Sequence, residues 1–308
     1  MRTAFINKLT EMARKDEDIY LITGDLGFSV FEKFEQEFQD RFVNVGIAEA
    51  TMIGIAAGLA LSGKKVYVYS IIPFVTMRCF EQIRVDLCYQ NLNVTLVGVG
   101  GGLSYGAAGA THHAIEDIAL MRSLPNMKVV CPGDPTEAEK AVEQAVGLEG
   151  PVYIRLNKNG EPKLHNEDSI KFNIGKAIKI YEGNELSIIA TGNMLEQSIN
   201  ISKKLIENGY NVNLISMHTI KPIDKECIIE CLDKTKYIFT LEEHNIFGGL
   251  GSAVSEVIAT NISKPITFKS YGIPDTYAES SGSRDYFRKK YGIDEESIYN
   301  KIIDVLEN

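Results

Sequence analysis

A single glutamate, Glu49, stands in a segment that is otherwise apolar and rich in small residues, spanning positions 44–60. The segment predicts a helix that begins at Glu49 and packs closely on every side. A carboxylate is well tolerated at a helix N-terminus because the macrodipole places partial positive charge there, so one interpretation is a capping role. The other is a desolvated glutamate that shares a proton with a ligand nitrogen. This segment alone leaves both roles open.

A glycine-rich loop with two adjacent histidines, GGGLSYGAAGATHH, occupies positions 100–113, directly after a predicted strand that ends near Gly98. Ligands of open parallel sheets bind at the carboxyl ends of the strands, where this loop must lie. We therefore expect His112 and His113 to lie outside the core, with an incidental surface pair as the alternative. No metal-ligand spacing accompanies the pair, and the glycines do not form the G-x-G-x-x-G dinucleotide pattern.

An aromatic residue, Phe74, marks a third candidate position in segment 73–84, which follows a predicted strand and becomes helical. At a strand-to-helix turn its ring could stack on a flat ligand ring. The competing interpretation is a simple core residue, which is the commoner role for an aromatic at such a turn.

Short β-branched runs alternate with helical segments along the chain, which predicts parallel sheets with crossover helices. Strands are expected at 66–69, 94–97, 128–130, 152–154, 186–190, 212–215 and 237–240. Helices are expected at 135–148, 194–208, 224–234, 250–262 and 294–307. Asp134 before Pro135 predicts an N-cap, and Gly209 suits the position after a helix end.

The predicted fold class is α/β with two domains, each a mostly parallel sheet flanked by helices. The chain has 308 residues, which suits two domains of ordinary size. A polar, turn-rich stretch after Leu156 predicts a linker. We therefore expect domains at 1–160 and 175–308, joined by a linker at 161–174.

Charge and cysteine usage exclude several classes of function. The net charge is -9 and no cluster of Lys and Arg is present, which argues against a nucleic-acid or anionic-membrane surface. No stretch has the length of a signal peptide core or a membrane span, so a cytoplasmic protein is expected. The five cysteines are scattered without CxxC spacing, so neither disulfides nor a zinc site are predicted.

The motifs resemble, in order and spacing, the second half of the transketolase family over practically the whole chain. In the first domain these are GIAEA at 46–50, CFEQIR at 79–84, GATH at 109–112 and RSLPN at 122–126. In the second they are TIKPID at 219–224, LEEHN at 241–245 and GGLG at 248–251. The resemblance implies the pyrimidine-binding and C-terminal domains of a transketolase that depends on thiamine diphosphate.

The same resemblance implies roles for individual residues. Glu49 would hold a proton against N1′ of the cofactor's aminopyrimidine and so promote loss of the thiazolium C2 proton. His112 would face the substrate and hydrogen-bond an oxygen that develops charge. Lys158 aligns with a family arginine that anchors the sugar phosphate, and it supplies the charge without the bidentate fork. Asp25 falls where the family keeps an acid near the thiazolium.

Two positions depart from the family pattern. Ungapped counting places Val75 where the pyrimidine-stacking aromatic usually stands, so Phe74 fills that role if the turn shifts by one residue. Ala108 replaces an aspartate that reads donor hydroxyls, which implies that the donor differs from an ordinary pentulose phosphate.

The family's diphosphate and Mg²⁺ site, a Gly-Asp-Gly motif in a preceding domain, is absent from the sequence. Magnesium needs several oxygen ligands around the diphosphate. The resemblance therefore implies a separate N-terminal-half subunit that holds most of that site, in an α2β2 heterotetramer with the cofactor across the interface. The helix after Glu49 is a candidate for the contact.

The expected function is transfer of a two-carbon ketol unit between sugar phosphates. The β subunit of a 2-oxo acid dehydrogenase, or a chain like deoxyxylulose-phosphate synthase, is the nearest enzymatic alternative, and the sequence around Thr111 and His112 favours transketolase. A non-catalytic regulatory subunit is the alternative of another class. Glu49 and His112 argue against it, because a scaffold needs neither.

Overall fold

The molecule consists of two sheets flanked by helices. The structure is a computed structural model that describes residues 1–158, 160–165 and 170–307. The strands are β1 Ile19–Thr23, β2 Phe42–Asn44, β3 Lys65–Ile71, β4 Val94–Val99, β5 Lys128–Val130, β6 Val152–Leu156, β7 Ile178–Tyr181, β8 Leu186–Ala190, β9 Val212–Ser216, β10 Thr219–Lys221, β11 Tyr237–Asn245 and β12 Thr267–Ile273. The predicted α/β fold class is confirmed.

The helices surround both sheets. They are α1 Arg2–Lys15, α2 Glu32–Glu37, α3 Glu49–Leu61, α4 Ile72–Thr76, α5 Phe80–Gln82, α6 Asp117–Ser123, α7 Pro135–Ala145, α8 Leu195–Glu207, α9 Lys225–Lys234, α10 Leu250–Asn261, α11 Arg284–Lys290 and α12 Glu295–Glu307. A π-helical segment, Ile83–Tyr89, follows α5 directly.

The first sheet has the strand order β10-β5-β6-β4-β3-β1-β2. All of its neighbours are parallel except β10, which pairs antiparallel with β5. Strands β4 and β6 are buried along their whole length, as expected for a sheet covered on both faces. Their carboxyl ends point toward the glycine-rich loop and Lys158, which brings the candidate residues to one edge of the sheet.

The second sheet has the order β12-β11-β8-β9-β7, with only the edge strand β7 antiparallel among its described strands. Residues of α8, α11 and α12 share a core cluster with it. Residues of α9 and α10 instead join the apolar cluster that includes α3 and β3 of the first part. A continuous apolar interior therefore connects the two halves.

The predicted helix ends have the expected local chemistry. The Asp134 carboxylate accepts a 2.7 Å hydrogen bond from the Glu137 backbone N–H and caps α7. Gly209 has φ +90° after α8, and the N–H of Tyr210 donates to the Leu205 carbonyl at 3.1 Å, which completes a Schellman motif.

The predicted linker is held against both halves where it is described. The backbone N–H groups of Leu164 and His165 donate to the Asp134 carboxylate at 2.8 and 2.9 Å. The Phe172 ring stacks on His218 with 4.0 Å between centroids. The remaining linker positions, 166–169, lie outside the described residues, so the domain bounds stay a prediction.

Within the described part of the chain, no helix combines the length and apolar character needed to cross a bilayer. All five cysteines are buried, with free thiols.

Candidate active site

Glu49 is the first residue of α3 and is only 2% exposed. Its Oε2 accepts a 2.6 Å hydrogen bond from Nη1 of Arg78. A side chain on Gly24 would approach the Glu49 carboxyl carbon to 3.9 Å, so the turn after β1 forms part of the wall around this carboxylate. Glu49 is thus a buried acid whose oxygen faces the turn after α4.

The loops beside Glu49 are joined by the Asn44 side chain. Its Oδ1 accepts hydrogen bonds from the backbone N–H groups of Asp25 at 2.9 Å and Gly46 at 3.0 Å. Asp25 is exposed and has φ +55°, a left-handed conformation that aspartate tolerates better than most residues. The predicted acid therefore lies at the same end of β1 as Glu49, on the solvent side.

Phe74 and Val75 point in different directions from α4. Val75 is fully buried in the apolar core, whereas Phe74 is partly exposed and forms an edge contact with His112, with 5.3 Å between ring centroids. Successive helical residues point about 100° apart, so the two cannot share a face. Val75 therefore points into the core and Phe74 faces His112, and the cofactor-binding roles of both residues stay predictions.

The two histidines of the glycine-rich loop also point in different directions. His112 is partly exposed, and its Nδ1 lies 3.0 Å from Oγ1 of Thr111. His113 is 4% exposed, its Nε2 lies 2.8 Å from the Gly106 carbonyl, and its ring packs against Phe287 of the second half. The expectation that both histidines lie outside the core is wrong for His113, because adjacent residues in this turn point to opposite sides.

Tyr105 connects His112 to Lys158. Its ring centroid is 5.5 Å from that of His112, and the Lys158 Nζ lies 4.5 Å from the same ring. Gly100 has φ +95°, and a Cβ at this position would lie 2.1 Å from the Tyr105 ring, so glycine is required for the ring to pack there. The loop conformation thus places the ring between the two candidate substrate residues.

These contacts form one continuous series, which we call the site strip. It runs from a buried carboxylate, through a guanidinium and three rings, to an ammonium group: Glu49, Arg78, Phe74, His112, Tyr105 and Lys158. Arg78 and Tyr105 were missed by sequence reasoning. Arg78 follows Phe74 by four residues, a spacing that places helical side chains on one face and could have indicated the contact.

The glycine-rich loop, which carries Tyr105 and His112 of the site strip, is anchored on the second half of the molecule. Glu243, in β11, accepts a 2.8 Å hydrogen bond from the Leu103 backbone N–H and pairs with Arg284 and Arg288 of α11. Burial alone would raise the pKa of Glu243, but the two arginines hold this pKa at about 2. This carboxylate is therefore ionised at neutral pH and fixes the loop.

Helix α3 is not packed on every side, contrary to the sequence-based expectation. One face is buried, while the other exposes Ile55 and Leu61. Ile47, just before the helix, is 80% exposed. Apolar residues all around a helix indicate burial in a complete assembly, and within this chain half of that surface has no cover.

No group of three or more metal-ligating side chains occurs among the residues that the structure describes. By contrast, the site strip fits thiamine diphosphate: a buried carboxylate suits a ring nitrogen that shares its proton, and Phe74 offers a ring face beside it. The strip also ends at the Lys158 ammonium group, a positive charge at the end away from Glu49.

Family models match the chain as the transketolase pyrimidine-binding domain over residues 1–162 and the transketolase C-terminal domain over residues 175–298. One subunit of the apulose-4-phosphate transketolase of Phocaeicola vulgatus is 39% identical, over 99% of this chain and 97% of its own length. The 6-deoxy-6-sulfo-D-fructose transketolase subunit SqwH of a Clostridium species is 34% identical, over 100% and 94%.

A solved structure of a split-gene transketolase, described as an inactive beta4 tetramer, has a TM-score of 0.91 with this chain. It is 36% identical and the match covers 99% of this chain and 98% of that one. Fold and site thus define an enzyme subunit of the class that uses thiamine diphosphate. The chain belongs to the transketolase family, as a subunit of the split type that carries the pyrimidine-binding and C-terminal domains.

Proposed function

We propose that this chain activates thiamine diphosphate in a two-subunit transketolase that moves a two-carbon ketol unit between sugar phosphates. The observation that carries the proposal is the burial of Glu49 with its carboxylate bonded to Arg78, whose guanidinium lies over the Phe74 ring. A mere capping acid has no need of an aromatic face and a histidine beside it.

Each residue of the proposed site has a defined task. Glu49 holds a proton at the pyrimidine N1′, and Phe74 stacks on the same ring. His112 donates a hydrogen bond to the substrate oxygen that develops negative charge, and its contact with Phe74 fixes the plane of its ring. Thiamine diphosphate, when bound, supplies the carbon nucleophile that accepts the two-carbon unit.

Lys158 is proposed to bind the anionic end of the substrate. The partly exposed ammonium group above Tyr105 provides a point charge for a phosphate or a sulfonate. Ala108, exposed in the turn before His112, offers no carboxylate to read a donor hydroxyl. We therefore propose a donor other than the ordinary pentulose phosphate, a view supported by the two relatives named for apulose 4-phosphate and 6-deoxy-6-sulfo-D-fructose.

A separate partner chain is proposed to hold the diphosphate and Mg²⁺. The sequence lacks Gly-Asp-Gly, and the relative from Phocaeicola vulgatus, aligned over nearly its whole length, is itself named as one subunit of a transketolase. The exposed apolar face of α3, with Ile47 before it, is the proposed contact surface, and it begins next to Glu49. An α2β2 heterotetramer is the expected assembly, because family sites lie across subunit interfaces.

Reconstitution tests the proposal. We expect the purified chain to bind thiamine diphosphate weakly, and a mixture with a Gly-Asp-Gly-containing partner and Mg²⁺ to bind it tightly, because the diphosphate carries most of the charge recognition. Calorimetry measures both affinities. The complex is then assayed with xylulose 5-phosphate, apulose 4-phosphate and 6-deoxy-6-sulfo-D-fructose as donors.

Two results would contradict the proposed function. Micromolar binding of thiamine diphosphate by the single chain would show that no partner is needed for the diphosphate. A clear preference for xylulose 5-phosphate over the other donors would show that another residue reads the hydroxyl and that the inference from Ala108 is wrong.

A further inference from the structure

Arg78 makes two contacts with the proposed cofactor residues at the same time. Its Nη1 donates to Oε2 of Glu49 at 2.6 Å, and its guanidinium carbon lies 4.6 Å from the centroid of the Phe74 ring. Within the described part of the chain, its guanidinium makes no other hydrogen bond. The Arg78 side chain is 48% exposed and that of Glu49 3%, so the cation enters the site from solvent.

These are the contacts that an aminopyrimidine would need. A guanidinium is a planar N–C–N group that donates to carboxylates and stacks on aromatic faces. An aminopyrimidine bound by Glu49 and Phe74 likewise places nitrogens against the carboxylate and its ring against the aromatic side chain. One carboxylate oxygen and one ring face cannot serve both groups.

We infer that Arg78 occupies the position of the aminopyrimidine in the free chain and competes with the cofactor for Glu49. The inference rests on the proposed function of Glu49 and Phe74. Cofactor binding then requires the Arg78 guanidinium to leave Glu49 and swing into solvent. A side chain that is half exposed and held by one charged hydrogen bond can do so without disturbing the core.

Competition by Arg78 also explains how the free chain tolerates a buried acid. An ionised carboxylate without a partner is costly in an apolar environment, and the guanidinium compensates its charge. In the loaded complex the pyrimidine N1′ replaces Arg78 as the partner. The affinity for cofactor is reduced by the fraction of time that Arg78 holds Glu49.

The test is the affinity of the reconstituted complex for thiamine diphosphate with Mg²⁺, measured by calorimetry. Arg78→Met keeps an unbranched stem over Phe74 and removes the charge. We expect it to tighten the dissociation constant about tenfold, which corresponds to Arg78 holding Glu49 about nine-tenths of the time. Arg14→Met, which breaks an exposed pair with Glu37 of the same length, 2.6 Å, is the matched control and should change nothing.

Arg78→Lys and the Glu49→Gln background sharpen the result. Lysine keeps the charge but stacks poorly, so its affinity should fall between those of the wild type and Arg78→Met. In the Glu49→Gln background the guanidinium has no ionic partner, so adding Arg78→Met should produce a smaller gain than it does in the wild-type background.

Unchanged or weaker binding by folded Arg78→Met, relative to the wild-type complex, would overturn the inference and make Arg78 a bystander or an aid to binding. The melting temperature of each variant shows whether it is folded, and Arg78→Lys alone decides the question if the methionine variant is not. Failure of the wild-type complex to bind thiamine diphosphate would instead overturn the proposed function.

Discussion

Two buried glutamates, Glu49 and Glu243, are each paired with arginine, and their surroundings differ sharply. They are 2% and 1% exposed, so burial does not distinguish them. Glu49 has a single arginine that is half exposed. Glu243 accepts from the Leu103 N–H, from Asn193 and from two arginines that link it to α11. A carboxylate saturated by its own fold is structural, while one with a replaceable partner is available to a ligand.

Glu243 also differs from its neighbour in β11, Glu242, in the kind of group that it accepts from. Glu242 accepts from the N–H groups of Leu250 and Gly251 at 2.7 and 2.8 Å, at the start of α10. Burial raises the pKa of Glu242 to about 7, whereas the arginines hold the pKa of Glu243 at about 2. Adjacent residues on one strand thus face opposite environments, one of backbone dipoles and one of full charges.

Replacing Glu49 with glutamine should remove activity while leaving stability nearly unchanged. An amide cannot share a proton with N1′, so we expect kcat of the reconstituted complex to fall by about 10²–10⁴. The free energy of unfolding should change by less than about 1 kcal/mol, because Arg78 is half exposed. Steady-state assays and urea unfolding measure the two effects. A loss of activity of only a few-fold would mean that Glu49 is an acid that only stabilises the start of α3.

Replacing Glu243 with glutamine should produce the opposite result in stability. Loss of one partner leaves the Arg288 charge buried, which costs about 3–5 kcal/mol of unfolding free energy. Glu256→Gln is the control, since Glu256 pairs with Arg122 at the surface and its side chain is 65% exposed; it should cost less than about 1 kcal/mol. Equal urea midpoints for the two variants would show that the buried cluster relaxes without penalty.

The smallest expected effect is the contribution of Glu242 to the pH dependence of the unfolding free energy. Its pKa is about 7 in the folded chain and 4.5 when unperturbed, so between these values the folded state binds more protons than the unfolded state. Stability from this group is therefore present at low pH and is lost as pH rises from 4.5 to 7, by at most about 1.4 kcal/mol per pH unit. The difference in unfolding free energy between wild type and Glu242→Gln should decline across that window. A constant difference would refute the assignment.

Much of the fold could be predicted from the sequence because strands β3, β4, β5, β6, β8, β9 and the first part of β11 are apolar runs, rich in β-branched residues, that are buried along nearly their whole length. Strands β1, β2, β7, β10 and β12, helices α1, α2, α6 and α11, and the π-helical segment were not predicted from the sequence. Strands β2 and β10 have three residues each and carry little pattern, β7 and β12 are only partly buried, and a π-helix has the composition of an α-helix. Motif spacing identified Glu49, Phe74, His112 and Lys158, whose roles remain proposals.

Contacts between distant segments limited the prediction of the site. Tyr105 lies in the site because α4 and the glycine-rich loop pack against each other through His112, which no local pattern reveals. His113 was misjudged because its sequence neighbours describe a loop, while its actual surroundings include Phe287, far along the chain.

Strand β10 joins the second half of the chain to the first sheet. It comes from the second half of the chain yet pairs with β5 of the first sheet, with Thr219 opposite Val130. Lys221, at its end, donates to the Arg122 carbonyl at 3.0 Å in the last turn of α6. A fragment ending before residue 175 would therefore expose β5 as a bare edge, open to pairing with other chains. The two domains of this chain are therefore not independent units, because a strand from the second half completes the sheet of the first.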